Sequence, residues 1–266
     1  REDIQVFRCR NSGVIFLKCK GTPEQERYRE NSDFRYWSAS NRKQALLETF
    51  DDDRRRAHDF ASVIRGKRWL DFGTGNGGIL EHLRPQAAEI FAIEIQEGPR
   101  QDLIKMGFSA FPDIDQVADN SVDVVTLFHV FEHLTNPIEV LRKILKKLVP
   151  GGRLIIEVPH ARDFLLSFLD CEAFKRFTLW SEHLILHTRQ SLSTFLSEAG
   201  VTRISVQGFQ RYPLANHLFW LSQGKPGGHN TWDFLQSPTL RQSYAEMLAG
   251  LDMTDTLLAF GEKART

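Results

Sequence analysis

The sequence predicts an α/β fold in which helices cover both faces of a mainly parallel sheet. From Lys67 onward, short apolar runs alternate with longer periodic stretches, which is the pattern of βαβ units. The runs "AIEI" and "DVVTLF" have the apolar character of strands that are buried on both faces. A length of 266 residues favours one such core with additions rather than two full domains.

Strands are predicted at residues 67–72, 89–95, 108–111, 121–128 and 153–159. Helices are expected between them, and the first begins at the glycine-rich loop after the first strand. The clearest helix has Asn136 as its N-cap and Pro137 at its first position, and it stops at a Pro-Gly-Gly segment. A further helix is predicted over residues 188–200, which Gly200 closes.

The two ends of the chain differ from this pattern. Residues 1–66 are predicted to form a cap, with a strand-like run "VIFL" and a helix from about residue 41 to 64. Residues 67–266 are predicted to form the core. An insertion at about 209–253, interrupted by Gly and Pro and rich in aromatic residues, precedes a final strand at 256–263.

The charge balance constrains the partners. Thirty-four basic side chains offset thirty-four acidic ones, so no nucleic acid partner is expected and a small-molecule acceptor is favoured. No segment approaches the roughly 18 consecutive apolar residues of a membrane span. The first thirty residues are too charged for a signal peptide, so we expect a cytoplasmic protein. Three cysteines suit reduced thiols better than a disulfide framework.

The stretch "WLDFGTGNGGI" fits two cofactor motifs. Gly73, Gly75 and Gly78 match G-x-G-x-x-G, which is the pyrophosphate loop of dinucleotide-binding proteins. Asp71, Gly73, Gly75 and Gly77 match D-x-G-x-G-x-G, which is the first motif of S-adenosylmethionine (SAM) methyltransferases. In both cases glycines let the backbone approach the ligand.

An acidic residue at the end of the second strand accepts hydrogen bonds from ribose hydroxyls in either cofactor. Glu94 has that position, so it indicates a nucleoside without separating the two motifs. Asp71 does separate them, because a carboxylate at the strand end would repel a pyrophosphate and attract the cationic part of SAM. The charge argument therefore favours SAM.

The segment "SVDVVTLFHVFEHLTNPIEVLRKILKKLVPGGRLIIEVPH" resembles the central part of class I SAM-dependent methyltransferases. With the glycine loop and "AIEI" the resemblance covers residues 67–160, and "EHLILHTRQSLSTFLSEAGV" extends it to about 201. It implies a seven-stranded Rossmann-like sheet whose last strand, "TLLAFGEK", is antiparallel. It also implies SAM as methyl donor and S-adenosylhomocysteine (SAH) as product.

Methyl transfer to a hydroxyl requires a group that removes a proton, and histidine suits that role. His183 is the first candidate because it follows the fifth strand, on the ligand side of such sheets. The carboxylate of Glu182 beside it is expected to raise the pKa of His183, and the alternatives are that Glu182 holds a sugar hydroxyl or points to solvent. The pair resembles a Glu-His pair of sugar C-methyltransferases, with Trp180 in place of a common tyrosine. His129, after the fourth strand, is the second candidate.

Further cofactor contacts follow from the resemblance. Asp113, after the third strand, is expected to contact the adenine, with a solvated carboxylate as the alternative. Phe128 either packs on the cofactor or belongs to the core. Tyr36 is expected to close over the methionine end of SAM.

No metal is expected. "FRCRNSGVIFLKC" resembles the end of a zinc module found ahead of some sugar methyltransferase cores, but Ser12 stands where its second cysteine would be. Structural zinc sites need about four ligands, so Cys9 is expected to be an ordinary thiol.

The predicted function is methyl transfer to a carbohydrate or glycolipid precursor, as in surface polysaccharide synthesis. The aromatic insertion suits stacking on sugar faces, or contact within a homodimer. The alternatives are a quinone, lipid or other natural-product acceptor, or a SAM-binding scaffold without catalytic activity.

Overall fold

A computed structural model describes residues 4–19 and 41–265. Its largest feature is a seven-stranded sheet, and a second sheet has three strands. In chain order the strands are β1 Ile4–Arg8, β2 Ile15–Cys19, β3 Arg68–Phe72, β4 Glu89–Ile93, β5 Ser109–Phe111, β6 Val122–Phe128, β7 Leu148–Pro159, β8 Ile185–Leu186, β9 Thr202–Phe209 and β10 Thr256–Glu262.

Helices connect the strands on both faces of the large sheet. They are α1 Arg42–Ile64, α2 Gly78–Leu83, α3 Glu97–Lys105, α4 Pro137–Lys147, α5 Glu172–Thr178, α6 Arg189–Ala199, α7 Leu214–Gln223, α8 Gly228–Thr231 and α9 Pro238–Gly250. None of the helices in the described ranges has the length and apolarity that a bilayer crossing requires.

The strand order of the large sheet is β5-β4-β3-β6-β7-β10-β9. The first five of these strands run parallel to one another, and β10 runs antiparallel to both β7 and β9. This is the predicted seven-stranded sheet with an antiparallel last strand. The parallel order brings the carboxyl ends of β3, β4, β5, β6 and β7 to one edge, where ligands of such sheets bind.

The ends of the helices are set by capping residues. Asn41 accepts a hydrogen bond from the Gln44 backbone at the start of α1. Thr188 and Ser191 form a reciprocal capping pair at the start of α6, and Gly200 ends that helix with φ at 96°. One end differs from prediction: α4 stops at Lys147, and residues 148–152 extend β7 instead of forming a loop.

The sequence patterns did not predict β1, β8 or β9. Strand β9 is an edge strand, in which partly buried Ile204 and Val206 alternate with exposed polar residues. Strand β8 has two residues and pairs with β2 alone in the small sheet, a contact between distant parts of the chain. Short or exposed strands lack the strong apolar run that marks a buried one.

The core lies on both faces of the large sheet. One cluster includes Leu70, Val125 and Leu127, and helices α4 and α6 contribute to it. The other includes Trp69 and Val124, with helices α1, α2 and α3. Alternation along β3 and β6 sends neighbouring side chains to opposite clusters, so the apolar residues of both strands are buried on either face of the sheet.

Candidate active site

The glycine loop joins β3 to α2 at the carboxyl edge of the sheet. Gly73, Gly75 and Gly77 have φ values of 75°, 56° and 74°, in the left-handed region that favours glycine. Gly78 is not among the residues with positive φ. The backbone conformation therefore requires glycine at the alternate positions of D-x-G-x-G-x-G. At Gly78 the requirement is one of space, because an added Cβ would collide with the carboxylate of Asp53.

Asp71 ends the buried part of β3 and is 3% exposed. Its carboxylate accepts hydrogen bonds from the hydroxyls of Thr126, at 2.6 Å, and Thr74. Burial raises the pKa of Asp71 to about 6, although these hydrogen bonds act in the opposite direction. A nearby cation would lower that pKa and be stabilised by the carboxylate, which is the interaction predicted for SAM.

This shifted pKa predicts pH-dependent cofactor binding. The carboxylate is the form that attracts a cation, so SAM affinity should rise as pH increases from about 5 to 7 and then level off. Asp71→Asn should lose about 10- to 100-fold in affinity at pH 8 and show little of this pH dependence. Titration calorimetry at four pH values measures both effects, with exposed Asp119→Asn as control. A flat profile for the unaltered protein would show that Asp71 does not face the cation.

Glu94 follows β4 and is 4% exposed. One carboxylate oxygen accepts the backbone N–H of Gly75 at 2.7 Å, and the other accepts that of Gln96 at 2.8 Å. Burial raises the pKa of Glu94 against these bonds. A carboxylate has about four acceptor positions, so these two bonds fix the loop without using all of them.

The remaining predicted cofactor residues have different positions. Asp113 follows β5 and caps the turn Ile114–Gln116, where its side chain accepts the Asp115 backbone N–H at 2.9 Å. Phe128 is 9% exposed and stacks on Phe60 with ring centroids 5.4 Å apart, so it belongs to the core. Tyr36 lies outside the described residues.

His129 follows β6 with φ at 53°. Its Nδ1 lies 3.2 Å from Glu132, and its Nε2 lies 3.2 Å from Glu157. Burial and the charge of Arg211 lower its pKa, but the two carboxylates outweigh them and raise it. Because both carboxylates stabilise the protonated ring, they disfavour the neutral ring that the predicted role of His129 as a base requires.

His183 lies between α5 and β8, and its Nδ1 is 2.7 Å from the carbonyl oxygen of Thr178. Burial lowers the pKa of His183 to about 4, while the charge of Glu132 acts to raise it. The expectation that Glu182 raises this pKa is wrong, because desolvation dominates. His183 is therefore a neutral imidazole at pH 7, and its ring lies 5.4 Å from that of Trp180.

The chain brings His183 next to the turn Phe131–His133 after β6. The backbone N–H of Leu184 donates to the carbonyl oxygen of Glu132 at 2.9 Å. The Nδ1 of His133 lies 2.6 Å from the carbonyl oxygen of Glu182, so Glu182 supports this contact through its backbone. Glu132, His133 and His183 each place one potential metal-ligand atom within 4.8 Å of the other two.

The cofactor loop and the turn after β6 are also in contact. A Cβ placed on Gly73 would lie 2.4 Å from a methyl group of Val130. The glycine loop is thus a neighbour of the group formed by Glu132, His133 and His183, here called the histidine cluster, at one edge of the sheet. A methyl donor held by the loop would be close to an acceptor held by the cluster.

Sequence analysis missed a buried charged network at the same edge. Glu157 on β7 is fully buried and accepts hydrogen bonds from Arg55 at 2.9 Å and Arg56 at 2.7 Å. Arg55 also contacts Asp52, and Arg211 from the insertion contacts Asp52 at 3.0 Å. A glutamate inside the apolar run "RLIIEVP" was the available signal, because unpaired charges are rarely buried.

Comparison with known proteins supplies the family. The family model described as "Methyltransferase domain" matches residues 36–206. A ubiquinone biosynthesis O-methyltransferase of Acinetobacter baylyi is 21% identical over 62% of this chain and 75% of its own length. A demethylmenaquinone methyltransferase of Renibacterium salmoninarum is 29% identical over 39% of this chain and 46% of its own.

Solved structures share the fold. A chain in the complex of the Haloferax volcanii Trm112 methyltransferase activator and a putative methyltransferase has a TM-score of 0.59 at 17% identity. The match covers 85% of this chain and 94% of that one. A SAM-dependent methyltransferase from Archaeoglobus fulgidus has a TM-score of 0.53 at 19% identity, covering 84% and 95%.

Proposed function

Because the chain belongs to the methyltransferase-domain family and SAM is its methyl donor, we propose that it methylates a hydroxyl group of a small-molecule acceptor. The observation that carries this proposal is the position of His183. Its Nδ1 faces a carbonyl oxygen, which only accepts, so Nδ1 holds the proton and Nε2 keeps a lone pair. Such a lone pair can assist methylation of a hydroxyl in two ways. It can accept the hydroxyl proton, or it can bind a cation that in turn binds the hydroxyl oxygen.

The residues at the glycine loop suit SAM. Asp71 offers a carboxylate to the cationic end, and Glu94 has acceptor positions left for the ribose. The side-chain amide of Asn76 in the same loop is 4% exposed and has no hydrogen-bond partner within the described ranges. A bound ligand would supply partners for such a buried polar group. SAM supplies an electrophilic methyl group, and the protein aligns the acceptor with it.

The acceptor class is the finer part of the proposal. A carbohydrate or glycolipid precursor remains the first candidate, with half-buried Trp180 next to His183 as the aromatic face for a sugar ring. The insertion supports this less than predicted: Trp220 is 3% exposed and packs on Phe174, while Trp232 packs on Phe219. Trp232 thus packs within the insertion, and Trp220 packs the insertion against α5.

A phenolic quinone precursor is the second candidate. Several relatives are named ubiquinone biosynthesis O-methyltransferases, at 21% to 26% identity. A phenol and a sugar both present a hydroxyl, and a flat aromatic ring could also pack against Trp180. The two candidates therefore require a direct comparison.

An acceptor screen distinguishes them. The protein is incubated with SAM and either sugar nucleotides and glycolipids or dihydroxyphenols, and SAH formation is measured. SAH formation that depends on a sugar acceptor supports the first candidate, and dependence on a phenol supports the second. If only amines or thiols support turnover, the hydroxyl proposal fails.

His183→Ala separates catalysis from cofactor binding. Because His183 lies on the acceptor side, we expect SAM affinity within about twofold of normal and kcat lower by about 100-fold. The assay must use saturating acceptor, since a residue that only positions the acceptor would mainly raise KM. Exposed His82→Ala is the control. A near-normal kcat for His183→Ala would remove this residue from the reaction.

A further inference from the structure

We propose that Glu132, His133 and His183 bind one divalent transition-metal cation, which holds the acceptor hydroxyl. This departs from the sequence expectation of a protein without metal. The inference deepens the proposed function and rests on it only for the acceptor, because cation binding itself needs neither SAM nor acceptor.

The first argument is proximity. Among the described residues, these three form the one group whose potential ligand atoms lie within 4.8 Å of one another. Zinc ligands lie about 2.0–2.1 Å from the ion, so neighbouring ligands are roughly 3.4 Å apart in a tetrahedral site. Side-chain movements of about 1 Å would close the group around an ion.

The second argument is the direction of the ring nitrogens. The Nδ1 of His133 lies 2.6 Å from the Glu182 carbonyl oxygen, and the Nδ1 of His183 lies 2.7 Å from that of Thr178. A carbonyl oxygen only accepts, so each Nδ1 carries the proton and each Nε2 carries the lone pair. Metal-binding histidines are oriented in the same way, by a hydrogen bond from the other ring nitrogen to a carbonyl or carboxylate.

The third argument is an unsatisfied buried oxygen. Glu132 is fully buried, and its Oε1 lies 3.2 Å from the Nδ1 of His129. Its Oε2 is buried without a hydrogen-bond partner in the described part of the chain. Burying such an oxygen costs free energy unless a partner is supplied. A cation next to the two histidine rings would be that partner.

The ligand types indicate the cation and its role. Two imidazoles and one carboxylate suit Zn²⁺ and related first-row ions, and three protein ligands leave a coordination position open. A hydroxyl oxygen bound at that position would lose its proton more easily, because the ion stabilises the alkoxide or phenolate. The released proton would pass to solvent water, and the oxygen–methyl bond would form as the bond between the SAM sulfur and its methyl group breaks, with SAH as the other product.

Direct binding measurements test the site without an acceptor. Protein treated with a chelator is titrated with Zn²⁺ by calorimetry, and with Mn²⁺ by electron paramagnetic resonance. We expect one bound ion per chain for the unaltered protein, and an affinity at least tenfold lower for Glu132→Gln. Glutamine keeps the shape and an oxygen for His129, and normal SAM binding by this variant would confirm that it is folded.

Two controls exclude other sources of binding. Cys9→Ser removes the thiol of the region that resembles a zinc module, and His82→Ala removes an exposed histidine. Both should bind the ion as the unaltered protein does. Loss of binding in Cys9→Ser, equal affinity in Glu132→Gln, or no stoichiometric binding of either ion would overturn the proposed site.

Turnover tests the role of the ion and separates this inference from the proposed function. Chelator treatment should leave SAM affinity within about twofold and lower kcat at least tenfold, and added Zn²⁺ or Mn²⁺ should restore it. Full turnover in chelated protein would overturn the role of the ion and leave hydroxyl methylation intact. Turnover with amines alone would instead contradict the proposed function, whether or not the ion binds.

Discussion

Arg56→Met should destabilise the protein by about 3 kcal/mol at pH 7, measured by urea unfolding. Arg56 and Glu157 are 8% and 0% exposed, and their side chains are joined by hydrogen bonds of 2.7 and 3.2 Å. Removing one partner of a buried ion pair leaves the other charge poorly compensated. Arg55 and His129 still contact Glu157 in the variant, so the lower end of the usual range is expected.

The dependence of this effect on pH follows from Glu157. Burial raises its pKa, but the charge of Arg56 and the hydrogen bond from His129 outweigh burial and hold the pKa well below the ordinary 4.5. A lowered carboxyl pKa contributes stability above the unfolded value, and that contribution is lost as pH falls through the folded value. The difference between the two proteins should therefore shrink below a pH of about 4.5.

Arg68→Met is the matched control. Arg68 pairs with Asp123 at 3.0 Å, but the two side chains are 40% and 27% exposed. An exposed pair contributes about 0–1 kcal/mol, so the loss should be much smaller. If Arg56→Met costs no more than Arg68→Met, the buried network does not hold α1 on the sheet.

Gly73→Ala should lower SAM affinity by at least about 100-fold. The added Cβ would lie 2.4 and 2.9 Å from the two methyl groups of Val130, and the φ of 75° is unfavourable for alanine. Valine has little freedom to move its methyl groups, so the loop or the turn after β6 must shift. Either movement disturbs the junction of the cofactor loop and the histidine cluster.

Gly66→Ala separates steric contact from backbone strain. Gly66 has a φ of 67°, yet an added Cβ would meet nothing within 4 Å. We expect this variant to keep SAM affinity within about twofold, with only a small loss of stability. Val130→Ala in the Gly73→Ala background should recover part of the lost affinity, because it removes the two methyl groups. Equal SAM binding by Gly73→Ala and the unaltered protein would exclude this loop as the binding site.

The fold was predictable where local signals were strong. Buried strands such as β6 have continuous apolar runs, and α4 and α6 have clear amphipathic patterns with Pro137 and Thr188 at their starts. Strand β9 was not predicted because its exposed positions are polar. Strand β8 was not predicted because only its pairing with β2 defines its two residues. Such pairings depend on contacts far apart in sequence.

The candidate site likewise has residues that the sequence could place and residues that it could not. Asp71 and Glu94 could be placed from motif spacing, since each lies at the end of a strand that the sequence predicts. The environment of His183 could not, because its burial and its contact with Glu132 depend on how residues 164–187 return to the turn after β6. The neighbouring Glu182 suggested a raised pKa for His183, whereas folding removes water from the His183 ring and lowers that pKa.

Titration calorimetry of the unaltered protein with SAM, SAH and NADH tests the central claim most directly. The three left-handed glycines, Asp71 and Glu94 predict one SAM or SAH per chain at micromolar strength, about 8 kcal/mol of binding free energy, and no binding of NADH. Tight binding of NADH together with no binding of SAM would contradict the account.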